Sequence, residues 1–150
     1  MTKKLDFSGL KSIADNYDLF YIDLWGVIHN GLELNFLAVE TLRHLKENKK
    51  EFVLLTNAPR PNEPVIKFLK KMGLKENFEN VFTSGEAALK YLKSDLKNKK
   101  FFHIGPPKDY DLFSSFKNLK ETNIDLADYI LCTGLFDNYD KDLDYYKTLL

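Results

Sequence analysis

An acid closes the apolar run Leu19-Phe20-Tyr21-Ile22-Asp23, and a hydroxyl and an amide, Thr56 and Asn57, close a second run, Phe52-Val53-Leu54-Leu55. Runs of this length read as buried parallel strands, and open α/β sheets hold ligands just outside the carboxyl ends of such strands. Asp23 is therefore a candidate functional carboxylate, weighed against the commoner role of such an acid as turn-former or helix cap. Gly26 lets the backbone fold away tightly after it, while Thr56 and Asn57 supply groups able to hold an oxyanion. Only two arginines occur, Arg43 and Arg60, and Arg60 follows closely on the second run, where a planar cation can clamp an anion or contact a covering element.

Other chemistry-bearing residues carry less. His29, His44 and His103 share no ligand spacing, so structural or surface roles are expected, although His29 lies close enough to Asp23 in sequence to contact a substrate. Cys132 ends an apolar run and reads as a small buried hydrophobe. The acids Asp125 and Asp128, and Asp137, Asp140, Asp142 and Asp144, read as solvated faces. Gly105-Pro106-Pro107 lacks the spacing of a phosphate-binding loop, and no G-x-G-x-x-G follows a strand.

The elements that must position these residues alternate. A short helix is expected from Ser8 to about Asn16, a strand from Leu19 to Leu24, a turn or small hairpin over 26–35, and a helix carrying Leu37, Thr41, Leu42 and Leu45. A strand at Glu51–Leu55 and a helix to Met72 follow, with Pro64 in its first turn and Gly73 as its stop. Val81–Thr83 reads as a strand, and Ser84 as the cap of a helix bearing Ala87, Ala88, Tyr91, Leu92 and Leu96. Strands at Phe101–Ile104 and Tyr129–Cys132 flank a helix at Asp111–Asn118, and Tyr139–Leu150 closes as an amphipathic helix. Strand and helix in alternation give an α/β fold, and a crossover of this length makes the first two strands parallel, so Asp23 and Thr56 are expected as neighbours on one sheet edge.

Composition excludes several classes of partner. Among 150 residues, 22 basic side chains balance 22 acidic ones, so neither a nucleic acid nor an anionic membrane surface is an expected ligand. Asp6, Lys11 and Asp15 interrupt any signal-like segment, and no apolar run approaches the length of a membrane span. One cysteine cannot form an internal disulfide, and a cytoplasmic location is expected.

The stretch Asp23-Leu24-Trp25-Gly26-Val27-Ile28-His29-Asn30-Gly31, followed by Leu54-Leu55-Thr56-Asn57, resembles the haloacid dehalogenase (HAD) superfamily of hydrolases, and is most similar to its class IIA, NagD-like branch. The resemblance implies a Rossmannoid parallel sheet, with residues 1–83 forming the N-terminal half of the core and 84–150 the beginning of a C2-type α/β cap. It implies that Asp23 is the nucleophile that becomes an aspartyl-phosphate, that Mg²⁺ is held by Asp23 and by the Trp25 backbone carbonyl, and that Thr56 hydrogen-bonds the phosphoryl oxygens. Asn57, Arg60, Trp25 and Gly26 would line the substrate, a small phosphorylated metabolite, and the cap leaves room for oligomerisation.

Two departures qualify these expectations. Phosphatases of the superfamily carry a second aspartate two residues after the nucleophile as general acid/base, and here that residue is Trp25, whose indole cannot transfer the proton. An indole there can shape a substrate pocket by stacking. The family's lysine and acidic-pair motifs are also missing, and the last helix has no stop signal, so an incomplete chain, inactive by itself, is expected. A ligand-binding or regulatory protein of the same fold, or a dehalogenase-like enzyme attacking carbon, is the alternative.

Overall fold

The computed structural model describes residues 9–75, 80–136 and 141–150; Ser8, Asp137 and Asp140, and the first residues of the helix expected from Tyr139, lie outside them. The chain divides into two compact units, one of residues 1–56 and 63–82, the other of residues 57–62 and 83–150.

In the first unit β1 (Leu19–Asp23) and β2 (Glu51–Thr56) pair in parallel, with Leu19 opposite Glu51 and Asp23 opposite Leu55. The order in the sheet is β1-β2-β3, where β3 is Val81–Thr83. Alternation decides the faces. Phe52 and Leu54 are buried, Phe20 and Ile22 pack beside them, and Leu19, Tyr21 and Asp23 are exposed on the other side. The buried face meets α1 (Phe36–Glu47) through Val39, Leu42 and Leu45, spaced to lie on one side of the helix. Asn35 caps α1 by accepting from the Ala38 N–H at 3.4 Å, and the helix stops where Lys49 turns left-handed. In α2 (Asn62–Lys71), Leu69 joins the same core, and Gly73 at φ 101° ends the segment as its position in the sequence suggests.

The helix expected from Ser8 to Asn16 is instead two single 3-10 turns, Leu10–Ser12 and Ala14–Asn16, with no buried residue in either. Leu10 packs only partly against the core of the first unit, and so short a segment has little of the tertiary support that stabilises helices in proteins.

The second unit holds a parallel sheet in the order β5-β4-β6, with β4 at Phe101–Ile104, β5 at Lys120–Glu121 and β6 at Tyr129–Cys132. Its core is Leu89 and Leu92 from α3 (Ser84–Ser94) with Phe101, Leu112, Phe113 and Leu131. The cap of α3 is Thr83, whose hydroxyl accepts from the Glu86 N–H at 2.8 Å; Ser84, expected in that role, donates to the Ala58 carbonyl at 3.1 Å. In place of the α-helix expected at Asp111–Asn118 there is a 3-10 segment, Pro107–Leu119, broken at Phe113 and Phe116. Both rings pack on Phe101, at 5.1 and 5.7 Å between centroids, and the breaks let both turn toward it. Cys132 is exposed rather than buried, because it ends β6 on the face opposite Leu131. The last helix, α4, covers Leu143–Leu149.

Among the described residues no helix is long and apolar enough to cross a membrane.

Candidate active site

Parallel pairing of β1 with β2 places Asp23 and Thr56 at the same sheet edge. In register Asp23 faces Leu55, and the Leu24 N–H donates to the Leu55 carbonyl at 3.2 Å just beyond the last pair. Thr56 is thus one step further along the neighbouring strand, and strand spacing and rise put the two Cα atoms roughly 6 Å apart. The Asp23 side chain is exposed and Thr56 half-buried, so neither is closed in the core.

Asp23 Oδ1 accepts the Leu24 N–H at 2.8 Å, which fixes the carboxylate against its own backbone. Its other oxygen makes no hydrogen bond among the described residues. After it the chain makes a compact turn. The Leu24 carbonyl gathers the N–H groups of Val27, Ile28 and His29, and the Gly26 N–H donates to the His29 carbonyl at 2.8 Å, with Gly26 at φ 78°. Asn30 Oδ1 accepts from the N–H groups of Leu32 and Glu33, at 2.9 Å each, and closes the far end. Short bridges join Trp25 to His29 and His29 to Leu34, so the expected small hairpin exists in reduced form. The Trp25 carbonyl takes no part in it and accepts no hydrogen bond among the described residues.

His29 organises this turn rather than facing solvent. Only 7% of it is accessible, its Nδ1 accepts the Gly31 N–H at 3.0 Å, and its ring stands edge-on to Trp25 at 5.7 Å and to Phe68 of α2 at 5.6 Å. Burial lowers its pKa, and the nearby Asp23 carboxylate offsets part of that. The uncharged ring this favours is the one able to accept at Nδ1. In the sequence, His29 was legible only as a loop histidine; its contact with Phe68 depends on where α2 packs.

Asn57 and Arg60 fall in the second unit. Asn57 is exposed. Arg60 is half-buried, its carbonyl accepts from the Thr83 hydroxyl, and its guanidinium reaches the Lys108 carbonyl at 3.5 Å. A structural role is thus visible for Arg60: its backbone lies so close to Gly85 that a Cβ there would be 2.2 Å from the Arg60 nitrogen.

A divalent cation would meet oxygen donors here, the free oxygen of Asp23 and the unengaged Trp25 carbonyl, which suits Mg²⁺. Among the described residues no cluster of three or more His, Cys, Asp or Glu side chains stands ready to hold a metal ion. A cleft of about 620 Å³ elsewhere in the first unit is lined by Leu10, Lys11, Thr41, His44 and Lys50 among others, and touches none of these groups.

Residues 20–117 match the family described as haloacid dehalogenase-like hydrolase. The chain belongs to that family. Phosphoglycolate phosphatase 1A of Arabidopsis thaliana, a chloroplast protein, is 34% identical over 96 residues, 62% of this chain and 26% of that protein. A haloacid dehalogenase-like hydrolase from Brucella suis 1330 has the same fold with a TM-score of 0.75 and 27% identity, over 99% of this chain and 54% of the other. A putative NagD protein (24% identity, TM-score 0.66, 90% and 52% covered) and the glycerol phosphate phosphatase of Mycobacterium tuberculosis in complex with magnesium (22%, 0.61, 91% and 42%) share the fold. This member of the family therefore spans about a quarter of its curated relative and about half of these structures.

Proposed function

We propose that this chain carries the nucleophile end of a phosphoryl-transferring site acting on a small phosphorylated metabolite. Asp23 attacks phosphorus, forming a carboxylate O–P bond as the ester O–P bond breaks, and water then hydrolyses the aspartyl-phosphate. The Thr56 hydroxyl donates to the phosphoryl oxygens from the adjacent strand. Asp23 and the Trp25 carbonyl hold Mg²⁺, which when bound offsets charge on the phosphoryl group. Residues 1–83 serve as half-core and 84–150 as the start of a cap, and Asn57 and Arg60, just beyond the tip of β2, assist in substrate contacts. A cytoplasmic location accords with this substrate class.

The observation that carries this reading is the exposed carboxylate at the tip of β1, held by its own backbone and one register step from a hydroxyl on β2. Membership of a hydrolase family and likeness to named phosphatases support the chemistry. The test is turnover of acetyl phosphate by the full protein with and without MgCl₂. Asp23→Asn should abolish it, and retention of more than a few per cent would reject Asp23 as the nucleophile.

One observation favours a second reading. Trp25 stands where a general acid is needed for a basic leaving group, and loss of such an acid costs on the order of 10² to 10⁴ in rate. A protein that binds phosphorylated ligands without turnover would show saturable binding and no Mg²⁺-dependent phosphate release.

A further inference from the structure

Trp25 is both exposed and braced. Two-thirds of its surface, 66%, is accessible, yet the end of the indole lies on the backbone of Gly31, where an added Cβ would come within 2.8 Å of Cη2 and Cζ3. The His29 ring meets it edge-on at an interplanar angle of 87°, and His29 is in turn fixed by the Gly31 N–H and by Phe68. A large aromatic ring left open to solvent costs apolar surface that a polar residue would not, and here three residues are committed to holding it still. The ordering that usually weakens binding by a mobile side chain is already met in the fold. The ring also sits two residues from the Asp23 carboxylate, on the turn that leaves the tip of β1.

We propose that Trp25 is the stacking wall of a subsite for a flat, π-bearing group, so that the ligand taken at Asp23 is an aryl phosphate ester rather than a sugar or alkyl phosphate. This rests on the phosphoryl reading of Asp23 and Thr56. Stacking and leaving-group chemistry select the same class. Transfer from an aryl ester makes the Asp23 O–P bond and breaks the aryl O–P bond, and the phenoxide departs with the bonding pair, taking its proton from water. A phenol has a pKa of about 10, so its anion leaves without an acid on the protein, whereas an alkoxide needs one that the indole cannot supply.

Because the sequence contains one tryptophan, fluorescence reports this residue alone. The chain is titrated with benzylphosphonate and with methylphosphonate in MgCl₂, and calorimetry follows the same probes on Trp25→Ala, Trp25→Phe and Thr56→Ala. Benzylphosphonate should change the emission saturably and bind roughly five- to tenfold more tightly than methylphosphonate, the range expected for one aromatic contact. Trp25→Ala should erase that gap, Trp25→Phe should keep most of it, and Thr56→Ala should weaken both probes alike. Equal affinities, unchanged in Trp25→Ala, would overturn the subsite and leave the phosphoryl reading standing. A benzylphosphonate preference indifferent to Thr56→Ala would keep the subsite and remove that reading, and binding of neither probe removes both.

Discussion

His103 makes the stability of the second unit depend on pH, with a sign and size set by its surroundings. Its side chain is 4% exposed, with Nε2 at 2.9 Å from the Thr133 hydroxyl and the ring packed on Phe113 and Tyr110. Lys120, whose ammonium lies 4.5 Å from the centre of the Tyr110 ring, faces the same cluster. Burial first, and the Lys120 charge second, lower its pKa to about 4 from the ordinary 6.5. The unfolded chain therefore takes up a proton as pH falls below 6.5, while the native state refuses it until about 4. Stability from this group is complete above neutrality and is lost downward through that window, by about 3 kcal/mol at most and about 2 kcal/mol between pH 7.5 and 5.0. His103→Gln keeps an amide nitrogen for Thr133 and removes the titration. Urea unfolding followed by circular dichroism at both pH values, for parent and variant, isolates the effect because the other titrating groups cancel in the difference. The parent should lose about 2 kcal/mol more than the variant on acidification. Equal losses would show that the native histidine takes up its proton as freely as the unfolded one, and the burial argument would fail.

Three further substitutions probe the scaffold. Gly85→Ala places a methyl group 2.2 Å from the Arg60 nitrogen and 2.5 Å from its carbonyl oxygen; backbone cannot yield as a side chain does, and thermal unfolding should show a loss of about 1–3 kcal/mol or more. Thr83→Val removes the hydroxyl that accepts from Glu86 and donates to Arg60, and should destabilise by about 1–2 kcal/mol, with Thr83→Ser recovering most of it; parity between Val and Ser would deny the cap its importance. Gly31→Ala meets a φ of 94° and the Trp25 ring together, so it should cost about 1–2 kcal/mol and also change tryptophan emission, the second effect being the one that backbone strain alone does not give.

What was legible in the sequence follows the range of the forces involved. β1, β2, β4 and β6 announce themselves by apolar runs that end at Asp23, Thr56, Ile104 and Cys132, and the structure places their ends within a residue of those marks. Asp23 and Thr56 were visible as candidates because strand ends are local features. The brace behind Trp25 was not, since it needs Phe68 from another helix and the bare backbone of Gly31. The same holds for Pro107–Leu119, where Phe101 competes with helical periodicity and wins, and for β5, whose two residues carry no pattern of their own. Thr83 displaced Ser84 as the cap because Ser84 is drawn to the Ala58 carbonyl, a contact made across 26 residues.

The parity of the pleat constrains how the two strand tips can share a ligand. Asp23 is in register with Leu55 and so lies on the open face with Tyr21, while Thr56 alternates with Leu55 and falls on the side of buried Leu54. Within the sheet their side chains diverge to opposite faces. They can converge only beyond the last hydrogen-bonded pair, so a group touching both must sit off the end of the strands rather than over either face, where open sheets of this kind hold their ligands. That arrangement depends on length as much as on residue type. One residue inserted between Leu19 and Asp23 would turn the carboxylate toward Leu54 and send Ile22 outward, costing both core and site, whereas the turn from Gly26 to Asn35 has no such parity to keep.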